Sequence, residues 1–316
     1  MNRMSTLICG SIAYDNIMVF PERFKDHILP DKTHMLNVAF LVPELHRNFG
    51  GTAGNIAYNL KQLGGDPLPM ATVGADFDDY GDHLDRLGIR RDFVRQLDAH
   101  WTAQAYITTD LDDNQITAFH PGAMNEAHLQ KVPTDGRVRL GIVAPDGKQA
   151  MIDHSEQLAA AGIPHLFDPG QGLPLFNGEE LQRFVTHADW LVVNSYEWEM
   201  LKSKTGWDHS DVTAQLDGGL VITQGGKGSE LWDREGRTEI PAVEPETIAD
   251  PTGCGDAFRA GMLFGLERGW SGSDACRLGS ILGALKIAHN APQHHRFTID
   301  EVRERFESEF GHAMPD

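Results

Sequence analysis

The chain has 316 residues, 41% hydrophobic and 23% charged, which suits a globular domain with a sizeable core. Its net charge of −19 argues against a nucleic-acid or anionic-membrane surface, although a local nest of backbone N–H groups can still hold phosphate. Cys9, Cys254 and Cys276 are too scattered for a disulfide framework or a zinc site, no apolar run reaches the roughly 20 residues of a membrane span, and no signal-peptide pattern opens the sequence, so a reducing cytoplasm is expected.

In chain order, residues 6–9 read as a buried strand broken by Gly10-Ser11. Residues 13–48 read as irregular, with Pro21, Pro30 and Pro43. Ile56, Ala57, Leu60 and Leu63 recur at helical spacing, predicting a helix over about 54–63 that Gly64-Gly65 ends. A strand at 70–73 and a helix at 80–87 follow. Residues 103–109 and 115–119 form a predicted hairpin around Asp112-Asp113-Asn114. Strand-like runs at 140–143, 165–167, 191–193 and 220–223 alternate with helical stretches such as 179–185 and 196–202. That alternation predicts a parallel sheet covered on both faces. A second hairpin is predicted at 229–232 and 237–240, around Asp233-Arg234-Glu235-Gly236. Helices are predicted at 256–268 and 274–289, and from Thr298, which forms a capping box with Glu301. The 13–48 region and the stretch at about 101–121 are expected to build a small lid over the core.

The strongest chemical signal is DPTGCGDAFRAG at 250–261. Pro251 and Gly253 disfavour helix before the segment, and Ala257, Phe258, Ala260, Met262 and Leu263 favour it afterwards. Gly253, Cys254 and Gly255 therefore stand at a helix N-terminus, where free N–H groups and the helix dipole favour an anion. Asp256 beside them is placed to take a proton from an attacking hydroxyl. A plain glycine turn with Asp256 as helix cap explains the same residues without chemistry.

Gly50-Gly51-Thr52-Ala53-Gly54-Asn55 lets a substrate approach the backbone, or is only a helix entry. Asp15 follows the first strand, where α/β sheets bind ligands, and is otherwise a solvated loop acid. Asn194-Ser195-Tyr196-Glu197 suits Mg²⁺ and phosphate, or a helix cap. Thr223 to Gly228 suits nucleotide phosphates, or a hairpin turn; it lacks the spacing of a Walker A loop. The segment 110–114 departs from a calcium loop at Gln115 and Pro121. His289, His294 and His295 read as surface residues, and Cys254 has no histidine partner nearby in sequence.

Together, DPTGCGDAFRAG and GGTAGNIAYNLKQLGG resemble the C- and N-terminal signatures of the PfkB, or ribokinase-like, carbohydrate and nucleoside kinases. The resemblance spans essentially the whole chain. It implies one domain over 1–316: a three-layer α/β/α core with a mostly parallel sheet, plus a small β-sheet lid. It implies transfer of the γ-phosphoryl of Mg-ATP to a primary hydroxyl, with Asp256 as base and an anion hole at Gly253, Cys254 and Gly255. Ser11, Asp15, Gly50, Gly51 and Asn55 would hold the acceptor. Asn194, Glu197, Thr223, Gly225, Gly228 and Ser280 would serve ATP, with Glu197 on Mg²⁺ through water. A monovalent cation, K⁺, would sit near Asp250.

QITAFHPGAMN at 115–125 resembles the corresponding segment of prokaryotic adenosine kinases, with Phe119 or Tyr106 placed to stack on a purine. Adenosine or a related nucleoside is the expected acceptor. A ribokinase- or fructokinase-like sugar kinase is the alternative, and a catalytically silent nucleoside- or sugar-binding protein is the reading from another class. An exposed lid hairpin leaves both a monomer and a lid-mediated homodimer open.

Overall fold

The computed structural model describes residues 5–28, 37–112 and 114–316. Its strands begin with β1 (Ser5–Cys9), β2 (Ala13–Val19), β3 (Glu44–Gly50), β4 (Pro67–Val73), β5 (Phe93–Gln96), β6 (Ala103–Thr109) and β7 (Gln115–His120). They continue with β8 (Val138–Val143), β9 (His165–Phe167), β10 (Trp190–Asn194), β11 (Gly219–Thr223), β12 (Ser229–Asp233) and β13 (Gly236–Ile240). The helices are α1 (Phe24–His27), α2 (Thr52–Gln62), α3 (Asp78–Arg86), α4 (Lys148–Ala160), α5 (Gly178–His187), α6 (Ser195–Thr205), α7 (His209–Thr213), α8 (Cys254–Glu267), α9 (Gly272–Ile287) and α10 (Ile299–Phe310).

A nine-stranded sheet takes the order β13-β12-β11-β10-β9-β8-β1-β4-β5. It is parallel from β11 to β5, and the β12–β13 hairpin adds an antiparallel edge. Successive strand residues face opposite sides, and the sequence uses both faces. Ile8, Val192 and Val221 join a core with α2, α3, α8, α9 and α10. Leu7, Cys9, Leu191, Val193, Leu220 and Ile222 join a second core with α4 to α7. The result is the three-layer α/β/α arrangement expected for apolar strand runs covered on both faces.

A separate four-stranded sheet has the order β3-β2-β6-β7. Strands β2 and β6 pair in parallel, and β3 and β7 flank them antiparallel. The region 13–48 is thus less irregular than its prolines suggest. Its β2 run, AYDNIMV, carries Asp15 and Asn16 inside a strand despite their low strand propensity: Asn16 Nδ2 donates to Gln104 Oε1 and Ala105 O, and Asp15 faces the cavity. Within that region 29–36, including Pro30, lies outside the described residues, as does Asp113 of the β6–β7 turn. Strand β5 and helix α4 add elements that the sequence reading did not specify.

Capping boxes start α5 at Asn177 and Glu180, α6 at Asn194 and Glu197, and α10 at Thr298 and Glu301. Among the described residues no helix is long and apolar enough to cross a membrane.

Candidate active site

The parallel strands all end on one side of the large sheet. Ser11 follows β1, Asp146 follows β8, Asp168 follows β9, Asn194 ends β10 and Thr223 ends β11. These residues line a cavity of about 1150 Å³. That exceeds the roughly 300–1,000 Å³ of a pocket for one small ligand. The small sheet supplies the facing wall through Ala13, Asp15, Ala105, Ile107, Gln115, Thr117 and Phe119. Register explains this set. Asp15 pairs with Ala105 and Ala105 with Phe119, so all three share one face.

Helix α8 points its N-terminus into the cavity, where Gly253, Gly255 and Asp256 line the wall. Gly253 is the N-cap, in the left-handed region at φ 82°, and a side chain there would meet Pro292 at 2.9 Å. Cys254 differs from expectation: its N–H turns back to the Pro251 carbonyl at 3.2 Å. The Gly255 and Asp256 N–H groups have no partner among the described residues, and free N–H groups at a helix N-terminus favour an anion. The Cys254 thiol lies outside the cavity lining, 3.9 Å from the Asp250 carbonyl, and burial raises its pKa to about 11. It is no nucleophile at neutral pH.

Asp256 accepts a hydrogen bond from Asn55 Nδ2 at 2.8 Å. Burial raises its pKa to about 7; Asn55 works against that shift, Asp168 adds to it, Arg259 opposes it and Asp15 adds to it. A carboxylate near 7 can exchange a proton at neutral pH. Asp15 is raised to about 6, first by burial and then by Asp250.

Gln293 Nε2 donates to Asn55 Oδ1 at 3.0 Å and to the Tyr80 hydroxyl at 2.7 Å. Tyr80 in turn donates to the Gly50 carbonyl at 2.7 Å. Gly50 therefore lies beneath the cavity lining, engaged by its carbonyl, while Gly51 lines it. Ser11 and Thr52 tie β1, α2 and the β8 end together: Ser11 N–H meets Pro145 O at 3.1 Å and Thr52 Oγ1 donates to Pro145 O at 3.0 Å.

Asn194 and Glu197 are both a helix cap and cavity wall. Asn194 Oδ1 accepts from Glu197 N–H at 2.9 Å, and Glu197 Oε2 accepts from Asn194 N–H at 2.8 Å. Burial raises the Glu197 pKa, and Asp168 raises it further. Thr223 and Gly225 line the cavity, and the 224–228 segment is also the β11–β12 hairpin turn. Gly228 does not line it. A side chain there would meet the Ile240 carbonyl at 2.1 Å, so the close approach of β13 accounts for this glycine. Ser280, expected on adenine, is likewise outside the lining. It sits on α9, which packs on α8 where Gly261 and Gly279 meet backbone to backbone. Asp250 also lies outside it, held by Thr252 N–H, Ala291 N–H and Lys286. Tyr106 is on the opposite face of the small sheet from Phe119, with its hydroxyl on Gln104. His295 is buried rather than on the surface, and its Nε2 meets Asn59 Oδ1 at 2.7 Å.

Three charged residues were missed. Asp168 and Arg259 are both buried, with Arg259 Nη2 donating to Asp168 Oδ1 at 2.9 Å and Nε 2.8 Å from Oδ2. Arg259 Nη1 also donates to Gly255 O at 3.2 Å. Asp146 Oδ2 is buried without a partner among the described residues, and burial raises the Asp146 pKa to about 8. Asp146 and Asp168 had one available signal, an acid directly after an apolar strand run. Arg259 had another, a charge set between the apolar Phe258 and Ala260 in a small-residue helix.

The chain is a phosphotransferase with an alcohol acceptor and its fold is ribokinase-like; Asp256 stands beside a helix N-terminus, at the carboxyl ends of its parallel sheet. The pfkB family carbohydrate kinase profile matches residues 13–296, and the chain belongs to that family. It is similar to the nucleoside kinase of Burkholderia thailandensis in complex with inosine, with 50% identity, a TM-score of 0.89, and coverage of 99% of this chain and 100% of that one. The same enzyme in complex with ADP-inosine gives 52% identity, a TM-score of 0.86, and coverage of 98% and 97%. The nucleoside kinase of Methanocaldococcus jannaschii is 28% identical over 312 residues, 96% of this chain and 98% of that protein.

Proposed function

We propose that this chain transfers the γ-phosphoryl of Mg-ATP to the primary 5′-hydroxyl of a purine nucleoside, with adenosine and inosine as acceptors. One observation carries the reading: Asp256, poised near neutrality, stands beside two free N–H groups in a cavity large enough for two ligands. The Burkholderia complexes with inosine and with ADP-inosine support a nucleoside acceptor beside a nucleotide.

Asp256 accepts the hydroxyl proton as the acceptor oxygen bonds to the γ-phosphorus, and the bond from that phosphorus to the bridging oxygen of ADP breaks. The N–H groups of Gly255 and Asp256 stabilise charge on the transferring group. Asp15 and Asn55 hold the ribose hydroxyls, and Phe119 stacks on the base. Mg²⁺ would offset charge on the triphosphate, held through water by Glu197. The donor set fits it: Glu197 Oε2 is engaged in the cap, the other oxygen has no partner among the described residues, and Asp168 nearby adds negative charge. Residues 1–316 form one kinase domain in this reading. The stretches 13–48 and 101–121 serve as a lid whose closure excludes water.

The test is ADP release with Mg-ATP across adenosine, inosine, cytidine, ribose and fructose. Adenosine and inosine should be turned over, and cytidine and the free sugars poorly. Turnover of ribose or fructose above the nucleosides would instead make it a sugar kinase. Binding of nucleosides without transfer would make it a silent binder.

A further inference from the structure

Asp250 opens the loop that carries the α8 N-terminus, and the family resemblance places a monovalent metal ion there. The residues present do not fit one. Lys286, in the last turn of α9, has no exposed surface. Its ammonium donates to Asp250 O at 2.8 Å and to His289 O at 2.9 Å, and stands 3.6 Å from Asp250 Oδ2. These three oxygens beside the loop already hold a positive charge. A second cation beside it would meet like-charge repulsion with little solvent to screen it.

The surroundings are built around that charge. The C-terminal end of α9 carries the negative end of its dipole. Asp250 Oδ1 accepts from Thr252 N–H at 2.8 Å and Oδ2 from Ala291 N–H at 2.9 Å, so one carboxylate joins the anion-hole loop to the segment after α9. Ala291 adopts φ 61°, the only non-glycine with positive φ among the described residues. Burial opposes the Asp250 charge, but the Thr252 hydrogen bonds, Lys286 and Ala291 hold its pKa below the usual carboxylate value. Burial lowers the Lys286 pKa, with Asp250 working against the shift.

We infer that Lys286 is a built-in monovalent cation: its ammonium takes the place of K⁺ beneath the anion-hole loop, and the phosphoryl transfer needs no monovalent metal. Lys286 is a positioning residue, acting through Asp250 on the loop that ends at Asp256. The activity arm of the test rests on the kinase reading; the melting arm does not.

Transfer to inosine and thermal melting are measured in potassium, sodium and choline chloride at equal ionic strength, for the native chain and for Lys286→Ala. Native rates should agree within about two-fold, and Tm should not depend on which cation is present. Lys286→Ala should lose about 10-fold or more in choline and regain rate in K⁺ or methylammonium, because a displaced loop misplaces the reacting groups. Strong activation of the native chain by K⁺ over sodium and choline overturns the inference. So does a folded Lys286→Ala that keeps its full rate in choline, or one that no cation restores. Should Lys286→Ala fail to fold, the native melting arm decides: a K⁺-specific rise in Tm contradicts the inference, and its absence supports it. Failure of the native chain to phosphorylate inosine in any salt counts against the nucleoside reading alone.

Discussion

Asn55 Nδ2 donates to Asp256 Oδ2 at 2.8 Å, and Gln293 fixes which end of the Asn55 amide does so. Gln293 Nε2 gives one hydrogen to Asn55 Oδ1, which leaves the Asn55 amino group facing Asp256. His83 Nε2 lies 2.9 Å from Gln293 Oε1, completing a chain in which each amide donates toward the carboxylate.

A pH profile reads this chain directly. In the proposed mechanism the base works deprotonated, so kcat/KM should rise through about pH 7 and level off above it. Asn55→Ala removes a donor that favours the charged form, so its acid limb should move to higher pH. Gln293→Ala should shift the limb in the same direction by less. An acid limb unmoved in both variants would separate Asp256 ionisation from this network.

The Arg259–Asp168 pair should reveal itself in stability. Arg259→Met leaves a buried carboxylate uncompensated and should cost about 3–5 kcal/mol in urea unfolding. Adding Asp168→Asn should recover much of that loss. A single variant as stable as the native chain would mean water reaches the pair.

In the proposed reading Phe119 distinguishes nucleosides from sugars. Phe119→Ala should raise KM for inosine by about 10-fold, given the ~1–3 kcal/mol of base–aromatic stacking. Any weak turnover of ribose should be unaffected. Equal effects on both acceptors would place the base elsewhere.

Much of this site was legible because its signals are local. Glycine and proline around 250–256 set a helix start, and periodicity after Asp256 set its direction. The β6–β7 hairpin was equally readable from its turn. What stayed hidden depends on contacts distant in sequence. Asp168 and Arg259 meet only when β9 and α8 come together, and Lys286 reaches Asp250 only through the fold at the end of α9. Tyr106 and Phe119 could not be told apart until register put them on opposite faces. The Cys254 N–H was assigned to the anion hole because a helix N-terminus leaves its first N–H groups free, but the tight turn from Pro251 claims this one.

Asp256→Asn tests the central claim most directly. With inosine and Mg-ATP, kcat should fall by about 10²–10⁴-fold, while calorimetry shows both ligands still binding. Folding is checked in the same samples. Ionising Asp256 costs the native state stability as pH rises from the ordinary carboxylate value of 3.8 toward about 7. The variant should therefore melt above the native chain at pH 8, with the gain fading toward pH 4. Near-native turnover in a folded Asp256→Asn chain would contradict the account.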